Sequence, residues 1–240
     1  MNRKTKKHII IIIVSLVCAL IFGGIVVWKM SQPPETLNDL AYDINKRHGY
    51  TVYIKENDEY IPYLVLTNDY NGNGDALLLR EHLLEESYFF NDRLGYYKDS
   101  YIDRYLAEVF LPQIAAEVRD IIVDSEITIA KRNRDRDRLT EQITRQVFLL
   151  SLTEVDFTPS IISAIEGISL EYFRGGAKTR IASFADGEAS SWWLRSMNYA
   201  EDFAVYGIGP NGARGGEFIG AMAYARRSAS HETRPYIEVC

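Results

Sequence analysis

Cysteine is nearly absent from this sequence, which has two cysteines in 240 residues. Cys18 lies inside an apolar run near the N-terminus, and Cys240 stands at the opposite end. Because a cysteine inside a membrane-type segment cannot meet Cys240, we expect no disulfide within one chain. The folded part must then be held by its hydrophobic core, which a chain of this size can supply. Cys240 has two interpretations, a thiol that pairs between chains and a frayed terminal residue.

The motifs of several enzyme classes are also missing. There is no G-x-S-x-G nucleophile elbow and no phosphate-binding P-loop. Histidine is scarce, and no two histidines have the spacing typical of a metal site. The four are His8, His48, His82 and His231. We therefore predict no catalytic residue, no metal ligand and no cofactor from the sequence.

Basic residues are outnumbered outside the first 30 positions. The whole chain carries a net charge of −6, and residues 31–240 hold 22 basic and 33 acidic residues, a net charge of −11. An acidic domain is a poor ligand for nucleic acid or for an anionic lipid surface. We expect no nucleic-acid partner, and solubility alone is the simplest reason for the excess of acid.

One long hydrophobic run is present, from Ile9 to Trp28, and it contains no charged residue. As a helix it would be roughly 30 Å long, which is the thickness of the hydrocarbon core of a bilayer. Four basic residues precede it, so the positive-inside rule leaves the N-terminus in the cytoplasm. A cleaved signal peptide is the alternative, but no small-x-small site follows Val26–Met30. We expect a single-pass protein of the cytoplasmic membrane, with its C-terminal domain outside.

The sequence accordingly divides into four parts. These are a basic cytoplasmic N-terminus at 1–8, a transmembrane helix at 9–28, a spacer with an amphipathic helix at 29–49, and one folded domain at 50–240. The early part of the chain has helical patterns and the late part has strand patterns. This order favours an α+β domain of mixed short helices and antiparallel strands.

Alternating and β-branched segments predict several strands. They are Tyr50–Ile54, Tyr60–Asn68, Ala76–Arg80, Asp120–Ala130, Val147–Leu152, Ser191–Ser196, Phe203–Gly207, Glu217–Ala225 and Arg234–Val239. Asn71–Gly74 predicts a tight turn, and Lys131–Arg138 a solvated hairpin loop. Ser100 to Asp103 resembles a capping box at the start of a helix that Pro112 would stop or redirect.

The turn after Asp69 also matches the beginning of a calcium-binding loop, in the order Asp69-x-Asn71-x-Asn73-Gly74. The twelfth position is Arg80, where a calcium loop needs a bidentate glutamate. A hairpin turn is therefore favoured, and a weak calcium site through Asp69 and Asp75 is left open.

The most distinctive motif is Trp192-Trp193-Leu194-Arg195-Ser196. In a strand, two adjacent tryptophans point to opposite faces, which predicts a central strand covered on both sides. Arg195 would lie beside Trp193, where ring stacking and a carboxylate would stabilise its charge. We expect Arg195 and Arg234 to be buried and paired. In the alternative, Trp193, Arg195 and Arg234 are ligand-binding residues.

On these residues the chain resembles a family of uncharacterised bacterial exported domains that carry a W-W-L-R-S motif and a closing G-V-R-P-type strand. The resemblance runs from about Thr51 to Val239. The matching segments are Tyr63–Leu66, Asn71–Asp75, Ala76–Leu79, Tyr101–Phe110, Gln146–Val155, Trp192–Ser196 and Arg234–Pro235. Met197 replaces the proline that usually follows the motif, and Glu232-Thr233 replaces the usual Gly-Val.

This resemblance implies a fold similar to the formylglycine-generating and C-type-lectin-like domains. The formylglycine-generating relatives use cysteine chemistry, and residues 31–240 contain only Cys240, so the resemblance does not imply their oxidase activity. We expect a membrane-anchored, extracytoplasmic, non-enzymatic binding or scaffold domain, whose partner is an envelope protein or a glycan. Two alternatives remain, a cell-envelope hydrolase that uses a carboxylate pair and a stalk-like assembly subunit.

Overall fold

A computed structural model describes the fold of the chain and contains two compact units, residues 1–45 and 46–240. The description covers residues 21, 23, 24, 48–72, 74–91, 95–131, 138–158, 163–199 and 204–218. In the first unit, the three described residues are helical. The rest of this section concerns the second unit.

The predicted fold class is wrong. The described residues form small antiparallel sheets with few helices, rather than a lectin-like α+β domain. No described helix combines the length and the apolar character that crossing a bilayer would require. The predicted span Ile9–Trp28 lies outside the described residues, except for Ile21, Gly23 and Gly24. The amphipathic helix predicted within 29–49 falls almost wholly outside them as well.

The sheets are small because each is built from strands that follow one another in the chain. The described residues form four sheets: β1-β2-β3, β4-β5, β6-β7 and a sheet in the order β10-β9-β8. Adjacent antiparallel strands need only short turns. Among the described residues of this unit, the helical elements lie between β3 and β4 and between β5 and β6.

The first sheet is a meander whose inner face enters the core. It consists of β1 (Thr51–Glu56), β2 (Glu59–Tyr70) and β3 (Asp75–Arg80). Val52, Tyr63 and Val65 are buried, because alternate residues of a strand point to the same face. All three strands and the turn that starts at Asn71 were predicted, and the antiparallel pairing of β2 with β3 confirms the hairpin.

The helical region begins at Ser100, whose hydroxyl accepts a hydrogen bond from the Asp103 amide at 3.2 Å. It continues through helix α1 (Tyr101–Tyr105), a π-helical turn (Leu106–Phe110) and a 3-10 turn (Leu111–Gln113). The chain is extended again at Ile114, so the predicted cap and the predicted stop near Pro112 are both confirmed. Helix α2 (Ala116–Arg119) follows.

The second hairpin corrects two strand predictions. Strand β4 (Ser125–Ala130) pairs with β5 (Thr140–Arg145), which was not predicted. Ile143 is the one buried residue of β5, so the sequence of this strand lacks an apolar pattern. The predicted strand Val147–Leu152 is an irregular, buried segment without a strand assignment. Most of the predicted loop Lys131–Arg138 lies outside the described residues.

The last described strands surround the Trp-Trp motif. Two 3-10 turns (Glu171–Gly175 and Ala177–Arg180) lead to a minimal hairpin, β6 (Ala182–Ser183) and β7 (Ala189–Ser190). The fourth sheet follows, with β8 (Trp192–Met197), β9 (Val205–Ile208) and β10 (Arg214–Phe218). The predicted strand Arg234–Val239 and most of Glu217–Ala225 lie outside the described residues.

Strand β8 is buried along its whole length, which confirms that both of its faces are covered. It is an outer strand of its sheet, however, and not the central strand that was predicted. The irregular segment 148–152 covers the free edge. There the Arg195 amide donates to the Leu150 carbonyl at 2.9 Å, and the Leu152 amide donates to the Ser196 hydroxyl at 2.8 Å. The irregular segment therefore supplies hydrogen bonds to the edge of β8, as a neighbouring strand would.

The turn between β9 and β10 is expected to be intolerant of any side chain at Gly212. Gly212 has a φ of +72°, and a Cβ atom there would overlap the carbonyl group of Ala177. We expect Gly212→Ala to lower the free energy of unfolding by about 3 kcal/mol or more, since backbone strain and overlap act together. Urea denaturation measures the change.

Gly187→Ala is the matched control. Gly187 has a φ of +90°, but nothing lies within 4 Å of the added Cβ, so only the backbone cost of about 1–2 kcal/mol should appear. Equal losses in the two variants would contradict the close packing of the turn against Ala177.

Candidate functional site

A buried ion pair lies at the centre of the unit, between Arg195 on β8 and Glu154 in the turn after the segment 148–152. The two guanidinium nitrogens Nη1 and Nη2 each donate to one carboxylate oxygen at 2.7 Å. Both side chains are completely buried. This two-point geometry is the strongest form of arginine–carboxylate contact. It confirms the prediction that Arg195 is buried and paired.

Glu154 has no oxygen left for a ligand. Oε1 also accepts a hydrogen bond from the Tyr70 hydroxyl at 2.8 Å, and Oε2 also accepts one from the Ser151 amide at 2.9 Å. Each oxygen therefore accepts two hydrogen bonds. The carboxylate joins β2 to the segment around Ser151 in addition to binding Arg195.

Arg195 makes further contacts to backbone groups of two other segments. Nη1 donates to the Leu149 carbonyl at 2.6 Å, and Nε donates to the Thr128 carbonyl at 3.1 Å. Burial lowers the pKa of the guanidinium, but the charge and the hydrogen bonds of Glu154, with smaller contributions from Tyr70 and Glu166, together outweigh that effect. The pKa of Arg195 is therefore raised above its usual range. Arg195 is therefore a charged group at all physiological pH values.

Glu166 is a second buried carboxyl group near this pair, and sequence reasoning missed it. Its Oε1 accepts a hydrogen bond from the Ala130 amide at 2.7 Å. Its Oε2 makes no hydrogen bond of normal geometry within the described part of the chain. The neighbouring Ile165 and Ile168 are exposed, so the local pattern of apolar and charged residues is inverted. No sequence signal marks a glutamate that points inward between two isoleucines that point outward.

Burial raises the pKa of Glu166 to about 6. The charge of Glu154 adds to this rise, whereas Arg195, the Ser196 hydroxyl and the Ala130 amide oppose it. One cation thus faces two buried carboxyl groups, and only Glu154 holds it in a two-point contact. The protonation of Glu166 therefore changes near pH 6.

The structure places Trp193 and Arg195 in the interior, with 5% and 1% of their surface exposed. The Trp193 indole donates to the Tyr88 carbonyl at 3.3 Å and meets Phe90 edge-on. Arg195 lies over the ring of Phe148 at 5.6 Å, not over Trp193 as predicted. The register of β8 shifts after Trp193, which breaks the alternation on which that prediction depended. Arg234, the third candidate binding residue, lies outside the described residues.

Two further arginines pair with buried carboxylates. Arg145 binds Asp103 at two points, at 2.7 and 2.6 Å, and these hydrogen bonds raise the pKa of the guanidinium. The Nε atom of Arg80 donates to both oxygens of Glu56, at 3.3 and 3.2 Å. These pairs connect separate strands and turns, as the central pair does.

Arg180 is buried in a different way. Its guanidinium donates to the carbonyls of Gly212 at 3.1 Å, Val155 at 3.2 Å and Phe173 at 3.4 Å, and it lies 4.2 Å from the centre of the Phe157 ring. No carboxylate of the described residues forms a salt bridge with it. Burial lowers the pKa of Arg180, and Asp156 opposes this effect from a distance.

The turn that resembles a calcium loop is a hairpin turn. Asp69 Oδ1 accepts a hydrogen bond from the Gly74 amide at 2.8 Å, and the Asn71 side chain donates to the Glu126 carbonyl at 2.9 Å. These groups close the turn and connect it to β4. Across the described ranges, no group of three or more His, Cys, Asp or Glu residues converges as metal ligands would.

The fold and the site together define a domain of small antiparallel sheets held by inward-pointing arginine–carboxylate pairs. The sequence matches the family described as "Domain of unknown function (DUF6273)" over residues 73–236, which is more than half of the chain. The chain belongs to this family. No curated protein and no solved structure matches it. Membership of an uncharacterised domain family is thus confirmed, and nothing supports the lectin-like part of the resemblance.

Removal of the central cation should destabilise the unit strongly. We expect Arg195→Ala to lower the free energy of unfolding by about 3–5 kcal/mol, because Glu154 would remain buried without its counter-charge. The double variant Arg195→Met with Glu154→Leu should lose less free energy of unfolding than Arg195→Ala, because it leaves no buried charge without a partner. Urea denaturation of both variants tests this expectation.

Arg104→Ala is the control for this experiment, because Arg104 is an exposed arginine that contacts the Tyr101 ring. It should lose no more than about 0.5 kcal/mol. An Arg195→Ala variant with a wild-type urea midpoint would refute the structural role of the pair.

Glu166 should make stability fall as pH rises. The pKa of Glu166 is higher in the folded state than in the unfolded chain, so the folded state binds the proton more tightly and is favoured at low pH. Between pH 4.5 and 6 the free energy of unfolding of the wild type should fall by about 2 kcal/mol relative to that of Glu166→Gln. Above this range the difference between the two proteins should stay constant.

The measurement is the difference between the unfolding free energies of the wild type and Glu166→Gln from pH 4 to 8. This difference cancels the other carboxylates, which titrate in both proteins. A difference that stays constant over this range would contradict the shifted pKa of Glu166.

Proposed function

We propose that this domain is a non-enzymatic binding or scaffold module that works outside the cytoplasm. One observation carries the proposal. The side chains that could serve as an acid, a base or an electrostatic catalyst at the centre, Glu154, Glu166 and Arg195, are all buried and hold the fold together. A substrate could reach them only if the core opened.

The outer surface offers groups suited to recognition. Tyr53 and Tyr60 are 59% and 71% exposed and lie on the outer face of the β1–β2 hairpin. Tyr53 pairs with Pro62, and Lys55 with Tyr60, so the two tyrosines are diagonal neighbours on one face. Tyrosine combines an apolar ring with a polar hydroxyl, which suits contact with a protein or a glycan. These are the two partners expected from the sequence.

The location outside the cytoplasm rests on the sequence. Four basic residues precede the apolar run of residues 9–28, which is the order found in segments that direct export. Proteinase added to intact cells should digest the folded unit. Digestion that begins only after the cells are broken open would contradict this location.

A cell-envelope hydrolase is the second candidate, and one observation favours it. A carboxyl group with a raised pKa next to a second carboxylate is the arrangement of a general acid and its partner. Glu166, with a pKa of about 6, and Glu154 provide the two groups. Their complete burial is the reason that we prefer the binding module.

The binding module predicts that the full chain retains a specific glycan or an envelope protein, and that the exposed tyrosines contribute to this affinity. Tyr53→Ala combined with Tyr60→Ala should reduce the affinity about tenfold or more, because each aromatic contact contributes roughly 0.5–1.5 kcal/mol. Glycan arrays and quantitative capture from envelope fractions measure the loss.

Tyr101→Ala is the matched control, since Tyr101 is an exposed tyrosine on α1. It should bind as the wild type does. Turnover of wall material that disappears in Glu166→Gln, with the fold intact, would instead establish the hydrolase. A full chain that neither binds nor hydrolyses would overturn both functions.

A further inference from the structure

We propose that the surface around Arg180 is a binding site for a compact anionic group, a carboxylate, phosphate or sulfate carried by the ligand. The inference rests on the proposed binding function and specifies the chemistry of one contact. The first step is the environment of Arg180 itself. Only 9% of its surface is exposed, yet all its hydrogen-bond partners are uncharged carbonyl groups.

Arg180 differs from the other described arginines that hold the core. Arg195, Arg145 and Arg80 each have a carboxylate within salt-bridge distance. A buried cation normally needs such a partner, because carbonyl dipoles replace only part of the water that the charge has lost. An anion beside Arg180 would supply the missing counter-charge.

One edge of the Arg180 guanidinium is available to a ligand. Nε and Nη1 donate to backbone carbonyls, whereas Nη2 makes no hydrogen bond in the described part of the chain. Nη2 is also not among the fully sealed polar atoms that lack a partner. An anion can therefore approach this nitrogen from outside, without displacing any internal hydrogen bond.

The guanidinium is held rigidly from several sides. The Phe157 ring lies 4.2 Å from its centre, and the Trp192 indole donates to the Arg180 carbonyl at 3.0 Å. The Gly212 turn packs against Ala177, so the backbone on both sides of the guanidinium is fixed. A site that is already in its binding conformation loses little entropy when a ligand arrives.

Other exposed cations lie on the chain segments that meet at Arg180. Arg174 and Lys178 are exposed on the two 3-10 turns that lead to Arg180, and Arg214 is exposed at the beginning of β10. Contact between Gly212 and Ala177 brings these two parts of the chain together. We call Arg174, Lys178, Arg180 and Arg214 the basic surface.

Two acidic residues of these segments contact groups outside the basic surface. Asp156 accepts a hydrogen bond from the Ser169 hydroxyl at 2.7 Å, and Glu171 lies 3.7 Å from His48. The basic surface belongs to the part of the chain, residues 31–240, whose net charge is −11. That net charge repels an extended anionic surface, so the basic surface fits a small anionic group better than a membrane.

The test measures binding of inorganic phosphate, sulfate and acetate to the full chain by NMR titration and calorimetry, at constant chloride. We expect saturable binding that weakens with salt, and perturbed signals at Phe157 and Gly212. In Arg174→Glu combined with Lys178→Glu, affinity should fall about tenfold, because the field at the site is reversed. These exposed residues can be changed without disturbing the core.

Arg104→Glu is the control, the same kind of basic-to-acidic substitution at one exposed arginine of α1, and its affinity should stay within about twofold of the wild type. Arg180→Lys, which keeps the charge but loses the planar fork, should also weaken binding. Absence of saturable binding, or an equal effect of Arg104→Glu and the double variant, would overturn the inference.

A second measurement identifies the source of the anion. It also distinguishes failure of the anion site from failure of the proposed binding function. Wall polymer with and without its anionic groups is compared as a competitor of inorganic phosphate, and only the anionic form should compete. If the double variant retains the captured partner as well as the wild type does, the anion site is refuted and the binding function stands. If phosphate binds but no glycan or envelope protein does, the binding function fails and the anion site stands.

Discussion

The contact between Arg195 and Glu154 is the interaction on which the rest of the unit depends. It joins β8 to the turn that follows the segment 148–152, and the hydrogen bonds around it reach β2 and β4. A buried ion pair adds little net stability over an apolar packing, because both charges lose their water. We expect the pair to contribute specificity instead, because the hydrogen bonds of Arg195 and Glu154 join four chain segments, β2, β4, β8 and the segment 148–152.

Other buried charged residues of this domain are also engaged in structural pairs, so their presence does not indicate a catalytic activity. Arg145 with Asp103 and Arg80 with Glu56 repeat the central pattern near the edges of the unit. The three pairs connect separate strands and turns, so polar contacts carry part of the specificity of the fold. The groups outside these pairs that could bind a partner are the outward-facing tyrosines Tyr53 and Tyr60 and the basic surface around Arg180.

Local patterns in the sequence predicted local structure well. The β1–β2–β3 meander, the Ser100 cap and the burial of Arg195 all follow from short-range signals of alternation, turn residues and side-chain type. Predictions failed where longer-range contacts decide. Strand β5 exists because β4 lies beside it, the segment 148–152 is irregular because it packs against the edge of β8, and Glu166 points inward against the pattern of its neighbours. The lectin-like fold was inferred from a resemblance and not from such signals.

The segment that covers the outer edge of β8 affects the tendency of this protein to aggregate before it is fully folded. Without the segment 148–152, the chain would present an unpaired strand of sequence Trp-Trp-Leu-Arg-Ser-Met, apolar and aromatic along most of its length. Exposed edges of this kind recruit strands from other molecules and start aggregates. Glu154 holds the segment in place, since its carboxylate accepts a hydrogen bond from the Ser151 amide. The carboxylate that pairs with Arg195 therefore also helps to protect the edge of β8 from pairing with another molecule.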